Sequence, residues 1–214
     1  MTLKLYMHPL SSYSQKVVIA LYENETPFQA MRLDDPAIAQ EFKALWPMAR
    51  FPLLRDEGRD RIVAESSIII EYLALHYPGK VKLIPDAPDL SRETRLQDRF
   101  FDLYVHTPVQ RVVADRRRPQ AKRDPLGMQE VRTIYRTALQ MVESAMAAKT
   151  WAIGEDFTLA DCAAAPALFY ANIFFGPLHP SQPNAGAYLE RLMARPSYAR
   201  ALQEAKPYMH LLPK

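Results

Sequence analysis

The chain has 214 residues, 49% of them hydrophobic, and a formal net charge of +3, a length that allows one large or two small domains. Its single cysteine forbids an intrachain disulfide and suits a reducing compartment. The longest apolar run, residues 162–171, is shorter than the ~20 residues of a membrane span. The N-terminus also lacks the pattern of a secretory signal, so we expect a cytoplasmic protein without membrane association.

The first 79 residues predict a mixed domain of strands and helices. Residues 3–6 alternate apolar and polar side chains as a half-buried strand does, and residues 15–21 have the pattern of a helix that packs on one face. The segments that follow are a strand over 27–33, a helix over 36–45, strands over 53–55 and 61–64, and a helix over 68–75. This order, βαβαββα, predicts a thioredoxin-like fold. Gly58 in the turn of the closing hairpin is suited to positive φ.

Three serines, Ser11, Ser12 and Ser14, lie where the first predicted strand passes into the first helix. Free backbone N–H groups and the helix dipole favour an anion at such a place, typically by ~0.3–1 kcal/mol. The thiolate of a small ligand is one such anion. The alternative is that a serine simply caps the helix, and for this segment alone capping is the better interpretation.

Two further segments point to the same edge of the domain. If the bond between Phe51 and Pro52 is cis, the N–H and C=O of Phe51 turn outward and can bind a peptide-like ligand as an added strand does. Glu65 and Ser66 precede the helix over 68–75, where they can bind the ammonium and carboxylate of an amino-acid head group. An ordinary trans proline and a second helix cap are the alternatives, and each is preferred when its segment is taken alone.

From residue 80 onward the pattern is helical. We expect a linker over 80–90 and an all-helical second domain over 91–214. Its predicted helices cover 92–117, 126–148, 159–172, 185–195 and 197–205. Pro108 and Pro166 fall inside two of these helices, which predicts a kink at the residue before each proline.

The basic residues are concentrated in this second half, in a cluster formed by Arg111, Arg116, Arg117, Arg118, Lys122 and Arg123. Such a cluster can bind nucleic acid or line a cleft for acidic substrates. Acidic residues interrupt it and no aromatic residue lies within it, so a solvated helix end is favoured and we expect no nucleic acid partner. An anionic second substrate stays open.

The sequence offers no pattern for a nucleotide or a metal. Its six glycines are too scattered for a phosphate-binding loop, and its five histidines lack the spacing of metal ligands. We therefore expect neither cofactor. Cys162 lies on an apolar helix, where a thiol is most often buried and inert, so redox catalysis by the protein's own thiol is not expected.

The segments His8–Val17, Phe51–Leu54 and Glu65–Leu73 together resemble the N-terminal signatures of the glutathione transferase superfamily. Gly154–Asp161 resembles the helix-capping motif of that family's C-terminal domain and contains the spacing of a capping box. The resemblance extends over nearly the whole chain. It implies a transferase that conjugates or isomerises a small electrophile with glutathione as cosubstrate.

The resemblance also implies roles for single residues. Ser11 aligns with the catalytic serine of the zeta, phi and theta-like classes, which stabilises the glutathione thiolate, and Ser12 falls where beta-class members carry a cysteine. A free thiol has a pKa of ~8.5, which must fall for the nucleophile to be populated. The glutathione-binding residues implied by the same match are Arg50, Phe51, Pro52, Glu65 and Ser66. Those implied for the second substrate are Leu10, Tyr13, Tyr104, His106, Val109, Arg111 and Phe169.

The family usually forms two-fold dimers, so a homodimer is implied, with Phe42, Tyr77 or Phe100 as candidates for its exposed surface. Two other functions stay open beside the enzyme: a non-catalytic scaffold that binds a protein partner, and a carrier of apolar ligands. A scaffold need not keep the serine, proline and Glu-Ser segments together, and all of them are present here, which favours the enzyme.

Overall fold

The computed structural model describes residues 2–178 and 181–213. Its sheet has the strand order β2-β1-β3-β4, with β1 parallel to β2 and β3 antiparallel to both of its neighbours. The strands are β1 (Leu3–Met7), β2 (Gln29–Arg32), β3 (Leu53–Asp56) and β4 (Arg61–Ala64). The helices of this part are α1 (Ser12–Glu23), α2 (Pro36–Leu45) and α3 (Ser66–His76). The predicted βαβαββα order is therefore confirmed. In the hairpin turn it is Asp60, not Gly58, that takes positive φ.

The central strand β1 is buried on both faces. Leu5 and its apolar neighbours on that face belong to the main core, whereas Tyr6 points to the other face and packs with Phe42 of α2 and with Leu53. The rings of Tyr6 and Phe42 stack with centroids 6.1 Å apart. Phe42 is only 3% exposed, so our suggestion that it lies on an exposed dimer surface is wrong.

Among the residues that the structure describes, the second domain consists of helices and their connecting loops, with one isolated β-bridge between Trp151 and Gly154, which confirms the predicted helical class. Its α-helices are α4 (Pro88–Phe100), α5 (Thr107–Arg116), α6 (Pro125–Met146), α7 (Leu159–Phe175), α8 (Pro183–Ala194) and α9 (Pro196–Ala205). Short 3₁₀ helices cover Gln120–Lys122 and Lys206–Leu211. Since α4 begins at Pro88, the helical part starts three residues before our predicted boundary at residue 91. No helix within 2–178 or 181–213 is long and apolar enough to cross a membrane.

The helix that we predicted over 92–117 is a rod of three pieces. A π-helical segment, Phe101–His106, joins α4 to α5, and it ends directly before the Thr107–Pro108 pair where we predicted a kink. Because Pro108 has no N–H to donate, the regular hydrogen-bond ladder cannot continue through it, and a π-helical turn is one way to absorb the defect. In α7, by contrast, the helix continues through Pro166.

One hydrophobic core runs through both domains. Helix α1 packs against α7, and buried residues of both helices belong to the same cluster. Cys162 of α7 is fully buried, as expected from its apolar surroundings, and burial raises the pKa of its thiol. The predicted capping box is present at the start of α7, between Thr158 and Asp161. This packing fixes α1, and with it the serines at its N-terminus, relative to the helical domain.

Candidate active site

A cavity of about 950 Å³ lies between the two domains, at the N-terminal ends of α1 and α3. This is at the upper end of the usual size range for small-molecule sites. Eleven of the residues predicted from the sequence line it: Leu10, Ser11, Ser12, Tyr13, Arg50, Phe51, Pro52, Glu65, Ser66, His106 and Val109. The three weak sequence segments therefore converge on one cavity.

Ser11 is the N-cap of α1, and its Oγ accepts a hydrogen bond from the backbone N–H of Ser14 at 3.2 Å. The side chain thus caps the helix, as the simpler interpretation held. Capping uses only the oxygen as an acceptor, so the hydroxyl hydrogen stays available to a group in the cavity. The capping and anion-binding interpretations of Ser11 are compatible.

Ser12 faces the helical domain. Its Oγ lies 2.6 Å from Nε2 of His106, and the amide nitrogen of Gln110 lies 2.7 Å from the same ring nitrogen. Burial, together with the charge of Lys16, lowers the pKa of His106 to about 3, so this imidazole is neutral at physiological pH. The edge of the Tyr13 ring packs on it, with centroids 4.9 Å apart. The hydroxyl of Ser12 is thus engaged across the domain boundary.

The loop before β3 brings a backbone segment to the cavity. The peptide bond between Phe51 and Pro52 is cis. Within the described residues, neither the N–H nor the C=O of Phe51 takes part in a backbone hydrogen bond. The Phe51 ring packs edge-on against Phe42 at 6.4 Å, and the exposed Arg50 lines the cavity beside it. A peptide-like ligand would find an unpaired donor and acceptor here.

Glu65 precedes α3 in an unusual backbone conformation, with φ of 68°. Its side chain is exposed and makes no capping hydrogen bond, so the capping alternative does not account for it. Ser66 is buried at the first position of the helix and also lines the cavity. Residues other than glycine that hold positive φ cost on the order of 1–3 kcal/mol and cluster at ligand sites. The Glu65 carboxylate is therefore presented to the cavity by a strained residue.

The opposite wall is a single stripe along the α4–α5 rod, in which single residues or adjacent pairs recur every three or four residues, as one helix face requires. It consists of Arg95, Asp98, Arg99, Asp102, Leu103, His106, Val109, Gln110, Val113 and Arg117. Its two aspartates are paired with Lys16, whose Nζ lies 2.5 Å from Asp98 and 2.8 Å from Asp102. Burial is the main cause that raises the pKa of Asp102. Within the described residues, no group of three or more His, Cys, Asp or Glu is arranged to hold a metal ion.

Helix α7 and the C-terminal segment close the cavity with residues that the sequence reasoning did not select. They are Tyr170, Phe174, Leu211 and Leu212. The Tyr170 hydroxyl donates to the carbonyl of Leu10 at 2.8 Å, and the Gln15 side chain donates both to the Tyr170 oxygen at 3.1 Å and to the carbonyl of Pro9 at 2.8 Å. These bonds hold the segment that leads into Ser11.

Three predicted second-substrate residues do not line the cavity: Tyr104, Arg111 and Phe169. Tyr104 lies two residues from His106, and roughly 100° of rotation per helical residue puts such neighbours on opposite faces. Arg111 is displaced from the stripe in the same way and is exposed. Phe169 is turned towards Tyr198, with ring centroids 6.2 Å apart, and its neighbour Tyr170 takes the place that we predicted for it.

Comparison with known proteins agrees with this arrangement. Residues 5–81 match the family model of the glutathione S-transferase N-terminal domain, and residues 102–196 match that of the C-terminal domain. The chain belongs to the glutathione transferase superfamily. The resemblance inferred from its motifs is thus confirmed.

Individual relatives in this superfamily carry different names. The chain is 26% identical to a stringent starvation protein A homolog of Haemophilus ducreyi, covering 94% of this chain and 89% of the relative. It is also 26% identical to glutathione S-transferase GstB of Escherichia coli, covering 90% and 93%. Among solved structures, a glutathione S-transferase of Methylobacterium radiotolerans in complex with glutathione sulfonate has a TM-score of 0.81 and 27% identity, with 94% of each chain covered.

Proposed function

We propose that the protein is a glutathione S-transferase in which the hydroxyl of Ser11 donates a hydrogen bond to the glutathione sulfur. The observation that carries this proposal is the bond between Ser14 N–H and Ser11 Oγ, which fixes the oxygen at the N-terminus of α1 and leaves its hydrogen free. A donor at the positive end of a helix favours a thiolate over a thiol. Ser12 is the weaker candidate because its hydroxyl is engaged with His106.

The chemistry of the residues that line the cavity suggests where the other parts of glutathione bind. The cysteinyl unit pairs with the free backbone of Phe51, as an added strand does. The γ-glutamyl head lies at α3, its ammonium near the Glu65 carboxylate and its carboxylate near Ser66 and the helix N-terminus. Arg50 meets the glycyl carboxylate. The structure of the Methylobacterium radiotolerans relative is a complex with glutathione sulfonate, which supports this choice of ligand.

The reaction needs little from the protein beyond an ionised thiol held near its target. The glutathione thiol releases its proton to solvent, and the sulfur attacks an electrophilic carbon bound beside it. In a displacement the C–S bond forms while the leaving group departs with its electron pair. In an addition the C–S bond forms, the π electrons move onto the conjugated acceptor, and the resulting anion takes a proton from solvent. Holding both reactants in one cavity supplies much of the acceleration.

The test is a titration with glutathione by calorimetry, with thiolate absorbance recorded against pH. We expect the pKa of bound glutathione to lie below its free value, and Ser11→Ala to raise it by at least about one pH unit. Because alanine also removes the helix cap, Ser11→Gly is the matched variant, since glycine at an N-cap costs only a few tenths of a kcal/mol. Ser11→Thr keeps the hydroxyl and should keep the low pKa.

Ser12→Ala separates the two serines, since the proposal expects it to leave the thiolate signal nearly unchanged. If that variant loses the signal and Ser11→Gly retains it, the assignment of Ser11 is wrong. No binding at millimolar glutathione would reject the enzyme altogether.

The second candidate is a non-catalytic binding protein with this fold. It is favoured by one observation, the 26% identity to a stringent starvation protein A homolog, which equals the identity to GstB. A carrier of apolar ligands is a variant of the same idea. Either would bind its partner equally well before and after Ser11→Gly.

We also propose, from the family resemblance, that the protein acts in detoxification as a cytoplasmic homodimer. Exposed apolar side chains on α3 and α4, such as Leu75 at 74% and Leu96 at 52% exposure, support an interface there. Tyr77 and Phe100 are half-buried. Light scattering at micromolar concentration gives the mass, and a monomer would contradict the dimer.

A further inference from the structure

The cavity is chemically divided along the α4–α5 stripe. Near α3 the stripe carries charged residues, and near Ser12 it carries the neutral His106. Beyond this point Val109 and Val113 face the cavity, with Phe174 of α7 on the other side. Gln110 also lines this half, but its amide nitrogen is engaged with His106 at 2.7 Å. The lining beyond His106 is therefore mainly apolar, whereas the half near α3 is suited to the polar tripeptide.

At the end far from Ser11, the apolar half of the cavity is bordered by the positively charged side chain of Arg117. Among the described residues that line the cavity from Val109 onward, Arg117 is the one charged side chain. It lies eleven residues beyond His106, or about 16 Å along the axis at 1.5 Å per residue. Helix C-termini favour cations in general, but here the cation borders an apolar pocket without a carboxylate.

The neighbours of Arg117 are engaged elsewhere. The Arg116 guanidinium lies over the Phe174 ring, 5.1 Å from its centroid, and Arg118 pairs with Asp115 at 3.4 Å. Asp115 also accepts the backbone N–H of Asp124 at 2.9 Å, which anchors the connection after α5. Within the described residues, no carboxylate lies within ion-pairing distance of Arg117. Its charge is thus presented on an anchored segment without an internal partner.

We propose that the second substrate is an elongated apolar electrophile with a carboxylate or similar anion far from its reacting carbon, and that Arg117 binds this anion. This inference rests on the proposed function, because it assigns the reacting carbon to the Ser11 end of the cavity. An apolar body between the two ends fits the valines and the aromatic ring. The anion sets the orientation, so the electrophilic carbon is directed towards the sulfur.

The test uses two probes that differ in one charge. The first is a chlorodinitrobenzoyl amide of aminohexanoic acid, with its chlorine para to the amide, and the second is the methyl ester of that acid. In both, the thiolate attacks the carbon that bears chlorine, the C–S bond forms, and chloride leaves with the bonding electrons. We expect wild-type kcat/KM to be about five- to tenfold higher for the acid, as for one charge-assisted contact at a partly exposed site. Added salt should reduce this preference.

Arg117→Gln should remove the preference for the acid and change the rate for the ester by less than about twofold. Arg111→Gln is the matched control, because Arg111 lies on α5, six residues before Arg117, and is exposed but does not line the cavity. It should keep the preference. Equal rates for acid and ester in the wild type, or equal losses in both variants, would overturn the inference while turnover itself upholds the proposed function.

A second readout does not depend on turnover. The glutathione conjugates of both probes are prepared chemically, and their affinities are measured by calorimetry. Tighter binding of the acid conjugate that is lost in Arg117→Gln supports the anion site even in a protein that turns over neither probe. Equal affinities for the two conjugates refute it.

Discussion

Oγ of Ser12 and Nε2 of His106 lie 2.6 Å apart at the base of the cavity and join the two domains. Ser12 belongs to the first turn of α1, and His106 to the π-helical segment between α4 and α5. Both side chains are buried. The contact therefore orients the α4–α5 stripe relative to the N-terminus of α1.

The buried imidazole predicts a pH dependence of stability. Since burial lowers the pKa of His106 to about 3 from about 6.5 in the unfolded chain, the unfolded state binds more protons between these values. The free energy of unfolding then falls as the pH drops through that window, by up to about 1.4 kcal/mol per unit. His106→Asn should reduce this slope in urea titrations between about pH 4 and pH 6. His210→Asn, at an exposed position, should not; an unchanged slope in both variants would contradict the prediction.

We expect that removing the buried positive charge of Lys16 lowers the free energy of unfolding strongly. It is 1% exposed and bonds to Asp98, Asp102 and Ser67. Lys16→Met leaves two buried carboxylates without their cation and should lower the free energy of unfolding by ~3–5 kcal/mol. Because burial raises the pKa of Asp102, its protonation offsets part of the loss at low pH, so the deficit should grow as the pH rises.

Denaturant midpoints at several pH values measure this deficit. Lys4→Met is the control, since Lys4 forms a partly exposed pair with Glu57 and should cost less than about 1 kcal/mol. Adding Asp102→Asn to Lys16→Met should restore part of the stability. A double variant no better than Lys16→Met alone would show that the charge is not the cause.

We expect the stability of the protein to depend strongly on the buried carboxylate of Asp161 at the start of α7. It accepts hydrogen bonds from the backbone N–H groups of Ala152 and Thr158, both at 2.8 Å, and from the Tyr188 hydroxyl at 2.6 Å. Asp161→Ala removes the acceptor of these three donors and of the Thr158 hydroxyl, which bonds to the carboxylate at 3.1 Å, and should cost ~3 kcal/mol or more. Thr158→Ser keeps the capping hydroxyl and should cost ~1 kcal/mol or less. Guanidinium unfolding midpoints compare the two, and similar losses would refute the role assigned to the carboxylate.

Two buried tyrosines offer a matched pair. The Tyr170 hydroxyl bonds to Leu10 and Gln15 beside Ser11, whereas the Tyr135 hydroxyl is buried without a partner among the described residues. Tyr170→Phe should cost ~1 kcal/mol and raise KM for glutathione, because the segment before Ser11 is loosened. Tyr135→Phe should leave both quantities nearly unchanged. Steady-state kinetics measure KM for glutathione, and urea unfolding midpoints measure the stability of both variants. An unchanged KM in Tyr170→Phe would exclude a positioning role for Tyr170.

The sequence predicted the order of elements well because β1 alternates apolar and polar residues and because cap and turn residues mark the ends. The errors in the predicted starts of four helices of the second domain share one cause. Pro88, Pro125, Pro183 and Pro196 each occupy the first turn of a helix, whereas the predicted helices begin after these prolines, at residues 92, 126, 185 and 197. Proline is favoured at that position, because the first N–H groups of a helix have no internal acceptor. Pro36, by contrast, was placed at the start of its helix, where the structure has it.

The site residues could be predicted where the local sequence has a chemical signal. They could not be predicted where the rotation of a helix determines which of its side chains face the cavity. The serine turn, Pro52 and Glu65 carry their own signals. In α7 nearly every residue is buried, so the sequence pattern did not show that Tyr170, rather than Phe169, faces the cavity. Along the α4–α5 rod the spacing rule alone excludes Tyr104 once His106 is accepted, and we did not apply it.

The continuous core beneath the cavity limits how the protein can move. Buried residues of α1 and α7 belong to one core, and Lys16 links α1 to α4 and to the π-helical segment. A hinge motion that opened the two domains would therefore expose apolar surface and a buried cation. We therefore expect ligands to enter and leave the cavity without hinge bending between the domains. Access to the cavity is then expected to depend on the side chains that line it, Leu211 and Leu212 of the C-terminal segment among them.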